Sequence, residues 1–425
     1  MTCRDFRTAS FLFLISYRIQ DCDILQEMDK VLDRDHKLVQ ALFYIMVAVV
    51  FGFGTFIMLS RGYSSFQIGV ITAIGDISGL FLNFFVANAL DSSEKTDIFK
   101  TLKMMTLCLL GATVLNIFLN RPSIVLTLVY IVIYCLTSCL DSLFGSLSST
   151  ISHSGINLDF GRARAYGSLS YALSSVLFGY VSEIFLYPGI NVCILLSQLL
   201  VVFSVYLMAG HFYRCIASVD RPELTDSVSL KEYFMRHKNF MLLVIGHSGI
   251  MASTMIVTES FLPQVVYANG GSNFDLGLIP GLKAVVEVPF IFYFARLEER
   301  FGLKKIFIIA MISFVLKMYL FYSANTMFWL YVSQLLQATS FSLILPGMVS
   351  YVNRIMHKNE LQRSHGLMMI TRTLFSMFIS PIGGSVIENS GSKQFCFMGF
   401  VICSISAAIF MLGLAMDKNR TGETQ

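Results

Sequence analysis

Twelve apolar runs, split six and six by one polar stretch, limit what this chain can fold into. The first six lie near residues 38–60, 66–90, 101–119, 122–149, 163–186 and 189–210. The second six lie near 239–267, 274–295, 305–323, 326–353, 364–387 and 394–416. Each is close to the roughly 20 residues that a helix needs to cross a bilayer. In hydrocarbon every backbone N–H and C=O must be satisfied within its own segment, so such runs are helices and not loops or open sheets. The expected fold is therefore all-α: a polytopic membrane protein with twelve transmembrane helices in two pseudo-symmetric six-helix bundles. The charge content agrees. Of the 425 residues only 14% are charged and 55% are hydrophobic, whereas soluble domains are about 25% charged. A soluble globule and a disordered chain are both excluded on these figures. A net charge of +4 with no basic block also argues against a nucleic-acid partner.

The polar stretch sets the domain boundaries. Residues 1–37 are read as a cytoplasmic tail, 38–210 as the N-terminal bundle and 211–238 as a cytoplasmic central loop. Residues 239–416 form the C-terminal bundle and 417–425 a cytoplasmic tail. The start of the chain imitates a signal peptide, with Arg4 and Arg7 before an apolar run at 11–16. That run is short and no small-residue cleavage site follows it; Met28 is an alternative start. Lysines and arginines fix the orientation, because they accumulate on the cytoplasmic side. With the N-terminus inside, 25 of the 31 fall in inside segments. Three (Arg61, Arg121, Lys393) fall in outside loops and three (Lys283, Lys317, Arg372) within spans. Both termini are thus expected in the cytoplasm and the protein in the cell membrane. The nine cysteines include no Cys-x-x-Cys pair, and several sit inside apolar runs. They read as small buried hydrophobes, and neither a metal nor another cofactor is expected.

The halves echo each other. Asp91 closes the second run in Ala87-Asn-Ala-Leu-Asp91, and Glu299 closes the eighth in Ala295-Arg-Leu-Glu-Glu299-Arg300-Phe-Gly302-Leu-Lys304-Lys305. Arg164-Ala-Tyr-Gly167 opens the fifth run and Arg363-Ser-His-Gly366 the eleventh. Parallel halves joined by a cytoplasmic loop are a transporter architecture, with its site near the midplane between them. Ionisable residues inside spans cost about 2.5–3.5 kcal/mol each on insertion scales, and by default they face a cavity or a partner. Here they are Asp76, Asp141, Glu259, Lys283, Glu287, Lys317 and Arg372, with His247. Lys283 and Glu287 are four residues apart on one helix and can pair locally. Alternatively, Glu287 is a proton carrier. No nucleophile elbow, zinc-protease helix or Walker loop occurs, so neither an enzyme nor a primary pump is expected.

The small-x-x-x-acid pattern followed by basic residues after the second and eighth runs resembles the cytoplasmic gate motif of the major facilitator superfamily. That assigns gate roles to Asp91, Glu299, Arg300 and Gly302. Gly161-Arg162-Ala163-Arg164-Ala165-Tyr166-Gly167 resembles the start of helix 5 in lactose permease and the oligosaccharide/proton and nucleoside/proton symporters of its clan. By that resemblance Arg164 is the substrate-binding arginine and Tyr171 the aromatic platform for a sugar ring. Glu287, Lys317 and Arg372 are then the coupling charges of helices 8, 9 and 11. The clan's helix-4 glutamate falls near Ser146, and Asp141 is the substitute. Its helix-10 histidine and glutamate fall on Gln337 and Ser340, so that relay is absent and proton coupling rests on Glu287. The resemblance implies a secondary transporter that imports a small polar solute, saccharide or nucleoside, with protons. The expected substrate residues are Arg164, Asp141, Tyr171 and Gln337. Its partners are then the substrate, the proton and lipid, and it works as a monomer. Alternatives are an exporter of amphipathic compounds and a non-transporting sensor on the same scaffold.

The orientation is directly testable. A cysteine placed at Ser227, in the central loop, is expected to react with an impermeant thiol reagent only after the membrane is permeabilised. Labelling of intact cells would reverse the topology.

Overall fold

The computed structural model describes the backbone of residues 3–92, 97–152, 160–215, 237–357 and 360–416. Side chains are described from residue 30 onward within these segments, except at 91, 92, 148–150, 152, 160, 214, 215 and 362. The described residues are almost entirely helical. α1 spans Cys3–Ser60, α2 Ser65–Ser92, α3 Ile98–Phe118 and α4 Ile124–Ser152. The next helical stretch, Phe160–Cys215, is broken at Leu186, whose φ of 53° is outside the helical range. Pro188 and Gly189 follow the break. α5 is thus 160–185 and α6 187–215.

In the second half α7 comprises Lys238–Met255, a π-helical turn Ile256–Ser260 and a last piece Leu262–Ala268. α8 spans Asn273–Phe292. The stretch Phe294–Ser323 is broken at Gly302, which leaves a short helix at 294–301 and α9 at 303–323. α10 runs as Met327–Leu335, a 3-10 turn Leu336–Ala338 and Phe341–Ile355. α11 is Leu361–Ser390 and α12 Ser392–Met416. Ten helical stretches are long and apolar enough to cross a membrane. One of them holds both α5 and α6, and α8 is the remaining span, so the described residues make twelve. α8 is as apolar on average as the others and stands apart by its three charges, Asp275, Lys283 and Glu287. Residues 3–37, read above as part of a tail, are continuous in backbone with the rest of α1.

Large apolar side chains on the outside (Phe81, Phe84, Phe85, Phe203 and Phe292 are each at least 60% exposed) are those expected to meet lipid. The core is built instead from residues such as Phe43, Phe53, Phe144, Phe307 and Phe314, all fully buried.

The two halves meet along α5 against α8 and α2 against α11. Close approach depends on glycine. A Cβ at Gly277 of α8 would collide with the carbonyl of Ser175 on α5, and one at Gly69 of α2 with the carbonyl of Ser380 on α11. Among the described residues, the hydrogen bonds that cross between halves lie at the end remote from the chain termini. Thr72 and Ser380 pair at 2.9 Å, Gln264 donates to Ser65 at 3.2 Å, and Asn273 donates to the Ser182 carbonyl at 3.1 Å. Thr55 donates to the Ser260 carbonyl.

Gly302 turns the chain between the 294–301 helix and α9 with φ 73° and ψ 153°. This region is essentially confined to glycine, and other residues there cost about 1–3 kcal/mol. A Cβ at this position meets nothing within 4 Å, so the constraint is torsional and not steric. Gly302→Ala is expected to lower stability by about 1–3 kcal/mol, read as a lower melting temperature of the purified protein. An unchanged melting temperature would show that the turn adapts freely.

Candidate functional site

Charged side chains within the spans collect into two groups on the facing sides of the halves. The first belongs to the C-terminal half. Lys317 on α9 is completely buried. Its ammonium donates to Gln337 Oε1 at 2.5 Å, and Gln337 Nε2 donates to Glu287 Oε1 at 2.5 Å. One amide therefore links a buried cation on α9 to a carboxylate on α8. Gln337 reaches both because α10 is locally wound as a 3-10 turn at Leu336–Ala338. The irregular segment is closed by Ser342 Oγ, which donates to the Gln337 carbonyl at 3.0 Å. Lys283, one turn before Glu287, forms its ion pair with Glu259 on α7. Glu259 lies in the π-helical turn Ile256–Ser260, and π-turns inside α-helices recur at functional positions. Tyr171 on α5 is half-buried and lies within electrostatic range of Glu259, Lys283 and Glu287. It is the N-terminal half's contribution to this cluster.

The second group lies across the space between halves. Arg372 on α11 is within electrostatic range of Asp76 on α2, Asp141 on α4 and His247 on α7. Tyr44 on α1 donates to Asp141 Oδ1 at 3.2 Å. Arg164 on α5 covers the Tyr44 ring at 4.2 Å from its centroid and donates to Ser168 Oγ at 2.9 Å. Gly167 makes room for that ring, since a Cβ there would strike it. The last glycine of the Gly-Arg-x-Arg-x-aromatic-Gly string is thus what lets Tyr44 lie between Arg164 and Asp141. Asp141 is exposed although Arg372 faces it from the opposite half. Solvent therefore reaches the Asp141 side of this group.

The structure does not gather the sequence-derived residues into one cluster. Glu287, Lys317 and Gln337 are hydrogen-bonded together, with Tyr171 nearby. Arg372 belongs instead with Asp141, and Arg164 reaches Asp141 through Tyr44. In the gate motif the ties form at Glu298: Ser350 Oγ and Arg354 Nη2 each donate to its Oε1 at 2.5 Å. Glu299 and Arg300 are exposed, and Arg300 rests on the Phe301 ring at 5.5 Å. The side chain of Asp91 lies outside the described residues. Sequence reasoning did not find Tyr44 or Glu298. For Glu298 the signal was present as an acid adjacent to the motif acid; for Tyr44 none distinguishes it from other aromatics of α1.

Comparison with known proteins follows the same lines. The model of the MFS_1-like family matches residues 36–398. The chain belongs to this family of the major facilitator superfamily. It is 21% identical over 267 residues to a maltose permease of Geobacillus stearothermophilus, a match covering 62% of this chain and 65% of the permease. It is also 21% identical over 207 residues to the uncharacterized transporter YwbF of Bacillus subtilis (strain 168), covering 47% of this chain and 48% of YwbF. Both matches span less than two thirds of the relative. Among solved structures, an aspartate-to-alanine variant of nucleoside transporter NupG superposes with a TM-score of 0.72 at 12% identity. It covers 91% of this chain and 100% of NupG. The POT family transporter PepTSo superposes at 0.70 and 11% identity, covering 91% and 98%. At these identities the superpositions show a shared fold: the chain is a multi-pass membrane protein of this architecture.

Removing the amide from the first cluster leaves a sealed cation without its acceptor. Loss of a hydrogen bond to a buried charged group costs about 2–3 kcal/mol. Gln337→Leu is expected to lower the melting temperature clearly, whereas the double variant Lys317→Met/Gln337→Leu, which removes the buried cation as well, is expected to recover part of that loss. Equal melting temperatures for both variants would remove Gln337 as the partner that Lys317 needs.

Proposed function

We propose that this protein is a secondary transporter that carries a small polar solute across the cell membrane with protons, by alternating access. Saccharides and nucleosides are the favoured substrates. Both termini face the cytoplasm, and the monomer is the working unit. The observation that carries the reading is the asymmetry of the space between the halves. Among the described residues the cross-half hydrogen bonds lie at the remote end, while nearer the termini the halves set Asp141 and Arg372 against each other without a hydrogen bond between them and with Asp141 exposed. With the termini in the cytoplasm this is an inward-open state.

Family membership supports transport, and the maltose permease and nucleoside transporter among its relatives support the substrate class. The site chemistry agrees. Asp141, Arg372 and Arg164 offer charged hydrogen-bonding groups to hydroxyls, and Tyr171 offers an aromatic face next to Glu259 and Glu287.

Glu287 is the proposed proton carrier. Its carboxylate is tied to Lys317 through an amide and not by direct contact, so a shift of α8 against α10 breaks one hydrogen bond and separates the charges. Opposite charges nearby favour the ionised carboxylate, and their withdrawal favours the protonated one. Transport is then coupled to the proton by the differential affinity of two conformations for it.

Two measurements test the scheme. Exchange of labelled sugars or nucleosides into proteoliposomes is expected for a transporter and absent for a sensor. Glu287→Gln mimics the protonated state and is expected to abolish uphill accumulation while exchange down a gradient persists. Accumulation that survives Glu287→Gln would exclude Glu287 as the carrier.

A further inference from the structure

The closed end of the space between halves carries a repeated feature that the motifs above do not include. α2 begins at Ser64-Ser-Phe66-Gln67 and α8 at Ser272-Asn-Phe274-Asp275, which are equivalent positions of the two halves. Each start is capped from within. Ser64 Oγ accepts from the Gln67 amide at 3.3 Å, and Gln67 Oε1 accepts from the Ser64 amide at 3.0 Å. Ser272 Oγ accepts from the Phe274 amide at 3.2 Å, and Asp275 Oδ2 accepts from the Ser272 amide at 2.7 Å. These reciprocal bonds satisfy two amides at each start, as capping boxes do. Each start nevertheless receives one further carboxylate from the opposite half. Glu388 of α11 accepts from the Phe66 amide at 2.6 Å, and Glu183 of α5 accepts from the Phe274 amide at 3.1 Å.

α5 and α11 are equivalent helices, so the arrangement occurs twice, each time from the second-last helix of one half to the second helix of the other. One turn before each carboxylate stands a glycine, Gly179 or Gly384. A Cβ at Gly179 would meet the Phe274 carbonyl, and one at Gly384 the Ser65 carbonyl. The backbone is thus cleared where the carboxylate must reach across.

We propose that Glu183 and Glu388 are a pair of gate latches, which hold the remote end closed by placing an anion on the positive end of a helix of the opposite half. The proposal rests on the alternating-access reading above. Each helix start has its own capping box in Ser64 with Gln67 and Ser272 with Asp275, and at the exposed Phe66 water can replace the carboxylate as acceptor. What the carboxylates add is a bond between halves that exists only while this end is shut. Opening separates α2 from α11 and α8 from α5, so both latches break. An anion at a helix N-terminus contributes what amounts to a two- to fivefold bias in an equilibrium, at roughly 0.3–1 kcal/mol per site. Two independent latches multiply, giving a bias of about four- to twenty-fivefold. Glu183 and Glu388 are therefore positioning residues: they touch no substrate and set how the protein divides its time between conformations.

The test is a distance measurement without substrate. In the full chain with its nine cysteines replaced, spin labels at Asn120→Cys and Lys393→Cys report the separation of the remote ends by double electron–electron resonance. Glu183→Ala and Glu388→Ala are each expected to raise the ratio of long to short distances two- to fivefold, and the double variant by the product. The corresponding Gln variants keep an acceptor and lose the charge, so intermediate ratios are expected. Melting temperatures should stay at the wild-type value. A wild-type ratio in the double alanine variant overturns the latches, and so does a fall in melting temperature with no change in ratio. The alternating-access reading fails by a separate result: the wild-type protein would exchange no labelled solute in proteoliposomes, whatever the distance ratio shows.

Discussion

An ammonium sealed among apolar helices must find its counter-charge inside the protein, and the C-terminal half is arranged around that requirement at Lys317. The side chain has no route to water or headgroups from its place on α9. A buried ion pays a desolvation cost of several kcal/mol unless geometry and further hydrogen bonds repay it. The repayment passes through Gln337 to Glu287. It obliges α10 to abandon α-helical geometry where Gln337 sits, because that side chain must reach α9 and α8 together. The same half contains a second irregularity, the π-turn of α7 that presents Glu259 to Lys283. Both breaks occur where the backbone borders charged residues packed inside the protein, a setting in which irregular backbone is tolerated at membrane depth.

The N-terminal half solves its own charge problem differently. Arg164 lies over the Tyr44 ring, and the tyrosine hydroxyl passes the interaction on to Asp141. A ring between a guanidinium and a carboxylate keeps the two charges apart while satisfying both. Those charges then remain available to an incoming solute, as they would not in a direct bidentate pair. Arg61 follows a similar pattern away from the cavity. Buried near the remote end, it donates to Asn116 and Tyr130 and rests against Tyr187. At Arg61 and Arg164 aromatic rings thus take on work that carboxylates do at Lys283 and Arg354.

The sequence makes the helices legible because the membrane enforces them: twelve runs of spanning length produce twelve spans. The inward charges are legible for the same reason, since hydrocarbon excludes them from the outer face. Their partners are not. Lys283 and Glu287 have ideal spacing for a local pair, yet Lys283 turns to Glu259 on another helix, because the π-turn rotates Glu259 toward it. Helical spacing cannot reveal that rotation. At the gate motif the acid at the family position, Glu299, is exposed while its neighbour Glu298 takes Ser350 and Arg354. Adjacent residues on a helix point about 100° apart, and the helix at 294–301 is oriented by the turn at Gly302, which the motif does not specify.

Duplication explains why the two ends of the molecule behave so differently. At the remote end the halves use equivalent residues for equivalent contacts: Gly69 and Gly277 against carbonyls of α11 and α5, Phe66 and Phe274 against carboxylates of those same helices. Such contacts are local to a helix pair, so each copy can keep them without regard to what the other half binds. Near the middle of the spans the equivalence is gone, with Lys317 and Gln337 in one half and Tyr44 and Arg164 in the other. A solute with no two-fold symmetry of its own cannot be bound by two identical faces. Closure contacts therefore tolerate the inherited symmetry, whereas the residues that would meet a solute and a proton must depart from it.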